Sequence, residues 1–154
     1  MKNGGKSSTA MAAARIVVGL LFIIFAQYKL FHGEFAHEGY QKYVTGYVQE
    51  SAVPFYKPFL RATLKFPVVS GYAVGVAELL IGLSMVLGFW VRPFAIVGAL
   101  FMLNLFLSTW NLPAHTPAWR YLANQLENIP IFLLFLLFYV HNAGETLGLD
   151  KGRS

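Results

Sequence analysis

The chain alternates between long apolar segments and shorter polar ones. Four apolar segments approach the roughly 20 residues that a helix needs to cross a membrane. We therefore predict an all-α integral membrane protein, a four-helix bundle that forms a single membrane domain over residues 1–154. The predicted spans cover residues 12–31, 68–88, 93–109 and 121–141.

Short connections constrain how these spans pack. Only GFWVRP separates the second span from the third, so these two are expected to form an antiparallel hairpin. The first segment follows Lys2 and Lys6, as the apolar core of a secretory signal peptide would. It is too long for a typical signal core and no small-residue cleavage site follows it. The sequence therefore favours an uncleaved first span.

The long connection between the first two spans carries a helical pattern of its own. Aromatic residues recur through it at helical spacing, and Lys57, Arg61 and Lys65 follow at intervals of four on a different face. Aromatic and cationic faces together are typical of a helix lying in the membrane interface. We predict an amphipathic interfacial segment over residues 38–66. Its cations either anchor it to lipid headgroups or form a docking surface for a partner subunit or an anionic substrate.

Composition agrees with this membrane assignment. Hydrophobic residues make up 56% of the chain and charged residues 12%, against roughly 45–50% and 25% in soluble domains. The basic excess, with a pI of about 9.6, is expected to meet lipid phosphates, and no nucleic-acid motif suggests another partner. The absence of cysteine excludes disulfides and thiolate cofactor sites within the chain.

Charge does not fix the orientation of the chain in the cell membrane, which is its expected location. Six cations fall on each side of four predicted spans, so the positive-inside rule is evenly balanced. Lys57, Arg61 and Lys65 have a separate use on the interfacial segment. When these three are left out of the count, the side that carries the termini has more positive charge, which favours cytoplasmic termini.

The second span has an acid at its centre. Glu78 is spaced 4, 3 and 4 residues with Gly71, Gly75 and Gly82, which places all four on one helix face. Glycines on such a face allow a neighbouring helix to approach closely. Leaving a carboxylate in lipid costs about 2.5 kcal/mol or more. We therefore predict that Glu78 points into a helix–helix contact, where it needs either a partner or a proton.

The other spans offer polar residues at a similar depth. With the spans centred on one plane, Asn104 lies roughly 5 Å, Glu127 about 6 Å and Gln27 about 8 Å from the depth of Glu78, all towards the long connection. We predict these three as the polar neighbours of Glu78. Arg15, near the opposite end of the first span, is expected to extend to the headgroups.

These polar residues have two interpretations. They either hydrogen-bond the helices together, or they form a functional site in which Glu78 and Glu127 are the candidate catalytic acids. A quinone site, which takes up protons with electrons, would use buried carboxylates in this way, and so would a proton-coupled carrier. Asn104 and Gln27 would then help to bind the quinone.

Aromatic and histidine residues complete the candidate site. Trp110 belongs to an aromatic cluster at the same end of the bundle; it forms either part of an interfacial belt or a surface on which a quinone ring stacks. No span carries two histidines at a spacing of four, so we predict no metal site and no covalently bound cofactor, with quinone as a possible substrate.

One set of residues recurs in a family of membrane proteins: Arg15, Gly19, Lys29, Gly75, Glu78, Gly82, Gly88 and Arg92, followed by Ala143, Gly144, Gly148, Leu149 and Asp150. With these residues the chain resembles the DoxX/DoxD family of small four-helix membrane proteins, and the resemblance extends along most of its length. Its long first connection, with VPFYKPFL, looks more like the DoxD branch, the small subunit of thiosulfate:quinone oxidoreductase.

This resemblance implies a membrane subunit that passes electrons to quinone. In the best-known case the electrons come from thiosulfate, which is joined to tetrathionate, and a second subunit takes part. The function we predict is accordingly that of a quinone-linked oxidoreductase subunit, with other subunits of a membrane complex or further copies of this chain as partners. The alternatives are a non-catalytic accessory or assembly subunit and a small proton-coupled carrier.

Overall fold

The computed structural model describes residues 4–110 and 115–151, and within them all regular structure is helical. This confirms the all-α prediction. Seven α-helices lie in the described residues: α1 (Gly4–Phe31), α2 (Tyr40–Gly46), α3 (Lys57–Thr63), α4 (Pro67–Leu87), α5 (Val91–Thr109), α6 (Ala118–Asn124) and α7 (Asn128–Val140).

Three of the predicted spans are confirmed as single helices. The stretches of Thr9–Phe31, Pro67–Leu87 and Val91–Thr109 are each long and apolar enough to cross a membrane. Helix α4 ends where Gly88 takes a left-handed conformation with φ of 65°, which glycine adopts without steric cost. The chain then turns directly into α5, as the short connection predicted.

The fourth predicted span is bent. Helices α6 and α7 meet at an angle of 59°, with a break of three residues between them. Pro130 contributes to this break because its ring is incompatible with a continuous helix through the preceding turn. The described part of the chain therefore has three candidate spans, or four if the bent pair crosses as one.

Helices α1 and α4 pack along each other, as do α5 and α7. Aromatic rings join the two pairs: Phe22 of α1 meets Phe135 of α7 edge to face, with ring centroids 5.4 Å apart. The core between the pairs is formed by Val18, Phe22, Ile81, Met85, Val91, Ala95, Ala99, Met102, Phe135, Phe138 and Ala143.

The glycine face of α4 lies where the sequence predicts. Gly71, Gly75, Glu78 and Gly82 are all buried. A Cβ atom on Gly82 would lie 2.8 Å from the carbonyl oxygen of Gly19, so the backbones of α1 and α4 are almost in contact at this point. The predicted close helix–helix approach is confirmed, and α1 is the partner.

The long connection is helical but docks more tightly than an interfacial segment would. A nearly continuous helical stretch runs from Phe35 to Ser51, with π-helical turns at either end of α2. Tyr40 and Val44, which recur at helical spacing in this connection, are buried. The reason is Gly71, which lets Ala36 and Tyr40 pack directly against α4.

The C-terminal loop returns to the turn between α4 and α5. Leu149 N donates to Leu87 O at 3.1 Å, and Asp150 N donates to Gly88 O at 2.8 Å. The chain after Val140 therefore lies at the end of the bundle opposite the long connection, which begins after Phe31.

A substitution tests the close approach of α1 and α4. Gly82→Ala should lower the free energy of unfolding by about 1–3 kcal/mol, because the added methyl group overlaps backbone atoms that cannot rotate away. Gly46→Ala is the matched control, since no atom of the described residues lies within 4 Å of its Cβ position, and there alanine should stabilise the helix by up to about 1 kcal/mol. Unfolding in mixed micelles measures both; equal effects would contradict the packing.

Single cysteines test the crossing made by α6 and α7, because the chain has none of its own. Lys42→Cys and Lys151→Cys replace exposed residues at opposite ends of the bundle. A membrane-impermeant maleimide added to intact cells should label only one of them. Labelling of both from the same side would show that the bent pair does not cross.

Candidate functional site

Glu78 forms an ion pair with Lys29 inside the contact between α1 and α4. Lys29 Nζ donates to Glu78 Oε1. Glu78 is 4% exposed, and the side chain of Lys29 is 18% exposed. The acid at the centre of the second span therefore has a cationic partner on the neighbouring helix.

Local geometry explains why Lys29 reaches this position. It lies in the last turn of α1, and Gly75 allows it to pass close to α4, since a Cβ atom there would lie 3.3 Å from Lys29 Cβ. The ring of Phe35, just after the α1 turn, lies beneath the ammonium group with its centroid 5.0 Å away. This is a cation–π contact, which adds to the attraction for a charged lysine.

The pair is only partly satisfied. Oε2 of Glu78 is buried and has no hydrogen-bond partner in the part of the chain that the structure describes. An ammonium group carries three N–H donors. Lys29 uses one of them in its hydrogen bond to Glu78, and its ammonium group lies over the ring of Phe35. Within the described residues, the carboxylate therefore has one oxygen free to accept a hydrogen bond, and the ammonium has N–H groups beyond the one that Glu78 accepts.

The predicted polar neighbours of Glu78 lie elsewhere. Gln27 is exposed because it is two residues from Lys29, about 200° around the helix, and so faces away from α4. Glu127 is exposed in the break before α7. The expectation that these two gather around Glu78 is wrong, and the helix phase of α1 and the bend in the fourth span are the reasons. Their catalytic and binding roles stay predictions.

Asn104 bonds to the long connection. Tyr56 OH donates to Asn104 Oδ1 at 2.7 Å. Burial raises the pKa of the Tyr56 phenol, and Tyr40 nearby raises it further, so Tyr56 keeps the proton that it donates. Val53 N also donates to Leu107 O of α5 at 2.9 Å. Asn104 thus fixes the connection to α5.

Trp110 lies in an aromatic group at the end of α5. Its ring centroid is 4.7 Å from that of Phe106 and 5.3 Å from that of Tyr121. This joins α5 to α6. The stacking role predicted for Trp110 is untested by this contact.

Lys57, Arg61 and Lys65 lie on or just after α3, and we refer to these three as the cationic surface. Arg61 and Lys65 are exposed, and Lys57 is half-buried. Phe55 and Phe59, also exposed, lie beside them. Aromatic and cationic side chains are therefore both exposed on this segment, as predicted. Such a surface can bind lipid headgroups or a partner.

Arg15 was expected to reach the headgroups, and this is wrong. It is 0% exposed and donates to the carbonyl oxygens of Leu147 at 3.0 Å and Thr146 at 3.5 Å. Gly88 leaves the space that the guanidinium fills, and Gly148 packs directly against Gly88. The C-terminal loop covers Arg15, and a search for long-range partners among the polar residues after α7 could have suggested this.

Asp150 completes this end of the bundle. Its two carboxylate oxygens accept from Trp90 N and Val91 N, each at 2.9 Å, so it caps the start of α5, where a helix favours negative charge. Gly144 leaves room for this carboxylate. The glycines and the acid after α7 therefore have a structural purpose that sequence spacing alone did not reveal.

Gln125 is another residue that the sequence did not single out. It is 0% exposed at the break between α6 and α7, and its Nε2 donates to Thr109 Oγ1 at 2.9 Å. Asn128 Nδ2 donates to Gln125 Oε1 at 2.8 Å, and Asn124 Nδ2 to Thr109 O at 2.6 Å. These amides join the break between α6 and α7 to the end of α5.

Paired substitutions test the ion pair. Lys29→Met leaves the buried Glu78 without a cation and should lower the free energy of unfolding by about 3 kcal/mol. Adding Glu78→Leu should recover most of this loss, because a buried pair can be replaced by apolar residues at little cost. Unfolding of the two single variants and the double variant in mixed micelles gives the coupling. Losses that simply add would contradict a direct pair.

The chain was compared with known proteins. No curated protein and no solved structure matches it significantly. A family model described as DoxX matches residues 10–110, which is more than half of the chain and includes Arg15, Lys29 and Glu78. The resemblance seen in the sequence is confirmed at this level, and the chain belongs to the DoxX family of membrane proteins.

Proposed function

We propose that the chain is a membrane subunit of a quinone-linked oxidoreductase of the thiosulfate:quinone type, in which Lys29 and Glu78 bind the quinone headgroup and handle its protons. The observation that carries the proposal is the buried pair with one unpartnered carboxylate oxygen. Ionisable residues within a membrane are costly, so they are functional candidates by default.

The chemistry requires an acid and a hydrogen-bond donor at the quinone. Reduction of a quinone to a quinol takes up two electrons and two protons, one proton at each carbonyl oxygen. A free N–H of Lys29 would donate to one carbonyl oxygen. Glu78, protonated when the quinone is bound, would pass its proton to that oxygen as charge develops there, and the other carbonyl oxygen would take its proton from water. The carboxylate then regains its proton from the aqueous side.

The electrons would come from thiosulfate oxidised on a partner subunit. Two thiosulfate ions lose one electron each and join through a new S–S bond as tetrathionate, which supplies the two electrons that one quinone needs. The cationic surface of Lys57, Arg61 and Lys65 suits this partner or the anionic substrate. Its exposure leaves it available for either.

Access from the bilayer is consistent with this role. Lys29 lies in the last turn of α1 and is not fully covered, so an apolar carrier dissolved in the membrane can approach it from the side. We place the protein in the cell membrane with cytoplasmic termini, and Lys42→Cys labelled from outside the cell would support that orientation.

A non-catalytic accessory subunit is the second candidate. The observation that favours it is that Asn104 and Gln125 use their polar atoms to hold the chain together. In that case the ion pair would act in assembly, and its loss would change abundance without changing turnover per complex.

A single isosteric substitution separates these functions. Glu78→Gln keeps the size of the side chain and removes its acid, so quinone reduction per complex should fall by about 100-fold in membranes that contain the partner subunit. Glu50→Gln, at an exposed acid of the long connection, is the matched control and should leave the rate unchanged.

The assay follows quinone reduction spectroscopically with thiosulfate as donor, normalised to the amount of assembled complex in mild detergent. Unchanged turnover in Glu78→Gln at equal assembly would remove Glu78 from the mechanism. Reduced assembly with normal turnover per complex would support the accessory function instead.

A further inference from the structure

A pocket opens at the end of the bundle opposite the long connection. It has a volume of about 300 Å³ and lies between the turn that joins α4 to α5 and the loop after α7. This size is at the lower end of the range for sites that bind small molecules. Its polar lining comes from Trp90, Arg92, Asn142, Glu145 and Asp150.

One wall of the pocket is cationic. Arg92 is exposed at the start of α5, and its guanidinium carbon lies 5.0 Å from the centroid of the Tyr139 ring. Stacking on a ring holds a planar guanidinium in place while its N–H donors stay free. Such a group is suited to a phosphate, which accepts two parallel hydrogen bonds from it.

The other wall carries acceptors. Asn142 Oδ1 is buried and has no hydrogen-bond partner among the described residues, and a buried acceptor is costly unless a donor is supplied. Glu145 is an exposed carboxylate on the same loop. The oxygens of Asp150 are already used by Trp90 N and Val91 N. Among the described lining residues, the buried Asn142 Oδ1 and the exposed Glu145 carboxylate are therefore the acceptors left for a ligand.

We propose that this pocket binds a phosphoethanolamine group, the headgroup of phosphatidylethanolamine. Arg92 binds the phosphate, while Asn142 and Glu145 accept from the primary ammonium. The position favours this ligand because the pocket lies where two candidate spans end, at Leu87 and Val91, and therefore at headgroup depth. A choline headgroup, which has no N–H donor, would leave Asn142 unsatisfied. The proposal is independent of the quinone function.

Lipid retention tests the proposal. The full chain is purified in mild detergent, mixed with phosphatidylethanolamine, phosphatidylcholine or phosphatidylglycerol of identical acyl chains, and examined by native mass spectrometry. One phosphatidylethanolamine should be retained about tenfold more than either other lipid, the difference expected from charge-assisted hydrogen bonds to the ammonium. Equal retention of all three would overturn the proposal.

Variants assign the two walls. Glu145→Gln should reduce the preference for ethanolamine over choline severalfold, and Arg92→Gln should weaken binding of all three phospholipids. Lys42→Gln, at the opposite end of the bundle, is the control and should change nothing. Both lining residues are exposed, so folding should survive; a preference that persists in Glu145→Gln would contradict the site.

Free phosphoethanolamine distinguishes a lipid from a soluble ligand. If the lipid is the ligand, millimolar phosphoethanolamine should displace it only weakly, because acyl chains add to the binding. If the soluble compound binds alone and raises the melting temperature of the protein in detergent, while Arg92→Gln abolishes the shift, the headgroup chemistry is upheld with a soluble source. If neither the lipid nor free phosphoethanolamine binds, and neither displaces the other, the proposal is overturned.

Discussion

The ion pair of Lys29 and Glu78 lies within the contact between α1 and α4, and the rest of the structure depends on that contact. Removing one partner from such a pair leaves an uncompensated charge away from water, which is far more costly than replacing both. Close backbone approach is therefore essential, and Gly19, Gly75 and Gly82 provide it. The ion pair therefore depends on the glycines, because Gly75 lets Lys29 lie close to α4.

A second buried cation closes the opposite end of the same contact. Arg15 projects from α1 beneath the α4–α5 turn and holds the C-terminal loop by its carbonyl groups, while Asp150 of that loop caps α5. Burying the guanidinium costs desolvation free energy. What Arg15 contributes to the structure is therefore the fixed path of the C-terminal loop. A different charged residue is thus buried at each end of the α1–α4 contact. Among the described residues at these two ends, Glu78 beside Lys29 has the buried carboxylate oxygen without a hydrogen-bond partner.

Much of the fold was predictable because its signals are local. Apolar length predicted the three straight spans, and the spacing of glycines around Glu78 predicted the face that packs against a neighbour. The partner of Glu78 was not predicted, because depth counting places residues along the membrane normal but gives no information about which way a side chain faces. Gln27 and Lys29 differ by two residues and face opposite sides of α1, so a similar depth led to the wrong residue.

The bent fourth span and the covered Arg15 were missed for a related reason. Both depend on long-range contacts: Gln125 with Thr109, and Arg15 with a loop more than a hundred residues away. No periodic pattern in the sequence contains such information. The residues that resemble the DoxX/DoxD pattern, however, include both Arg15 and Asp150, so the pattern had marked these positions before their contacts were visible.

The central claim is that Glu78 exchanges a proton with the quinone, and infrared spectroscopy measures this directly. A difference spectrum between the oxidised and reduced states of the quinone-loaded protein should contain a carboxyl band that disappears in Glu78→Gln and persists in Glu50→Gln. A difference spectrum in which the carboxyl region is the same for Glu78→Gln and the unaltered protein would contradict the claim.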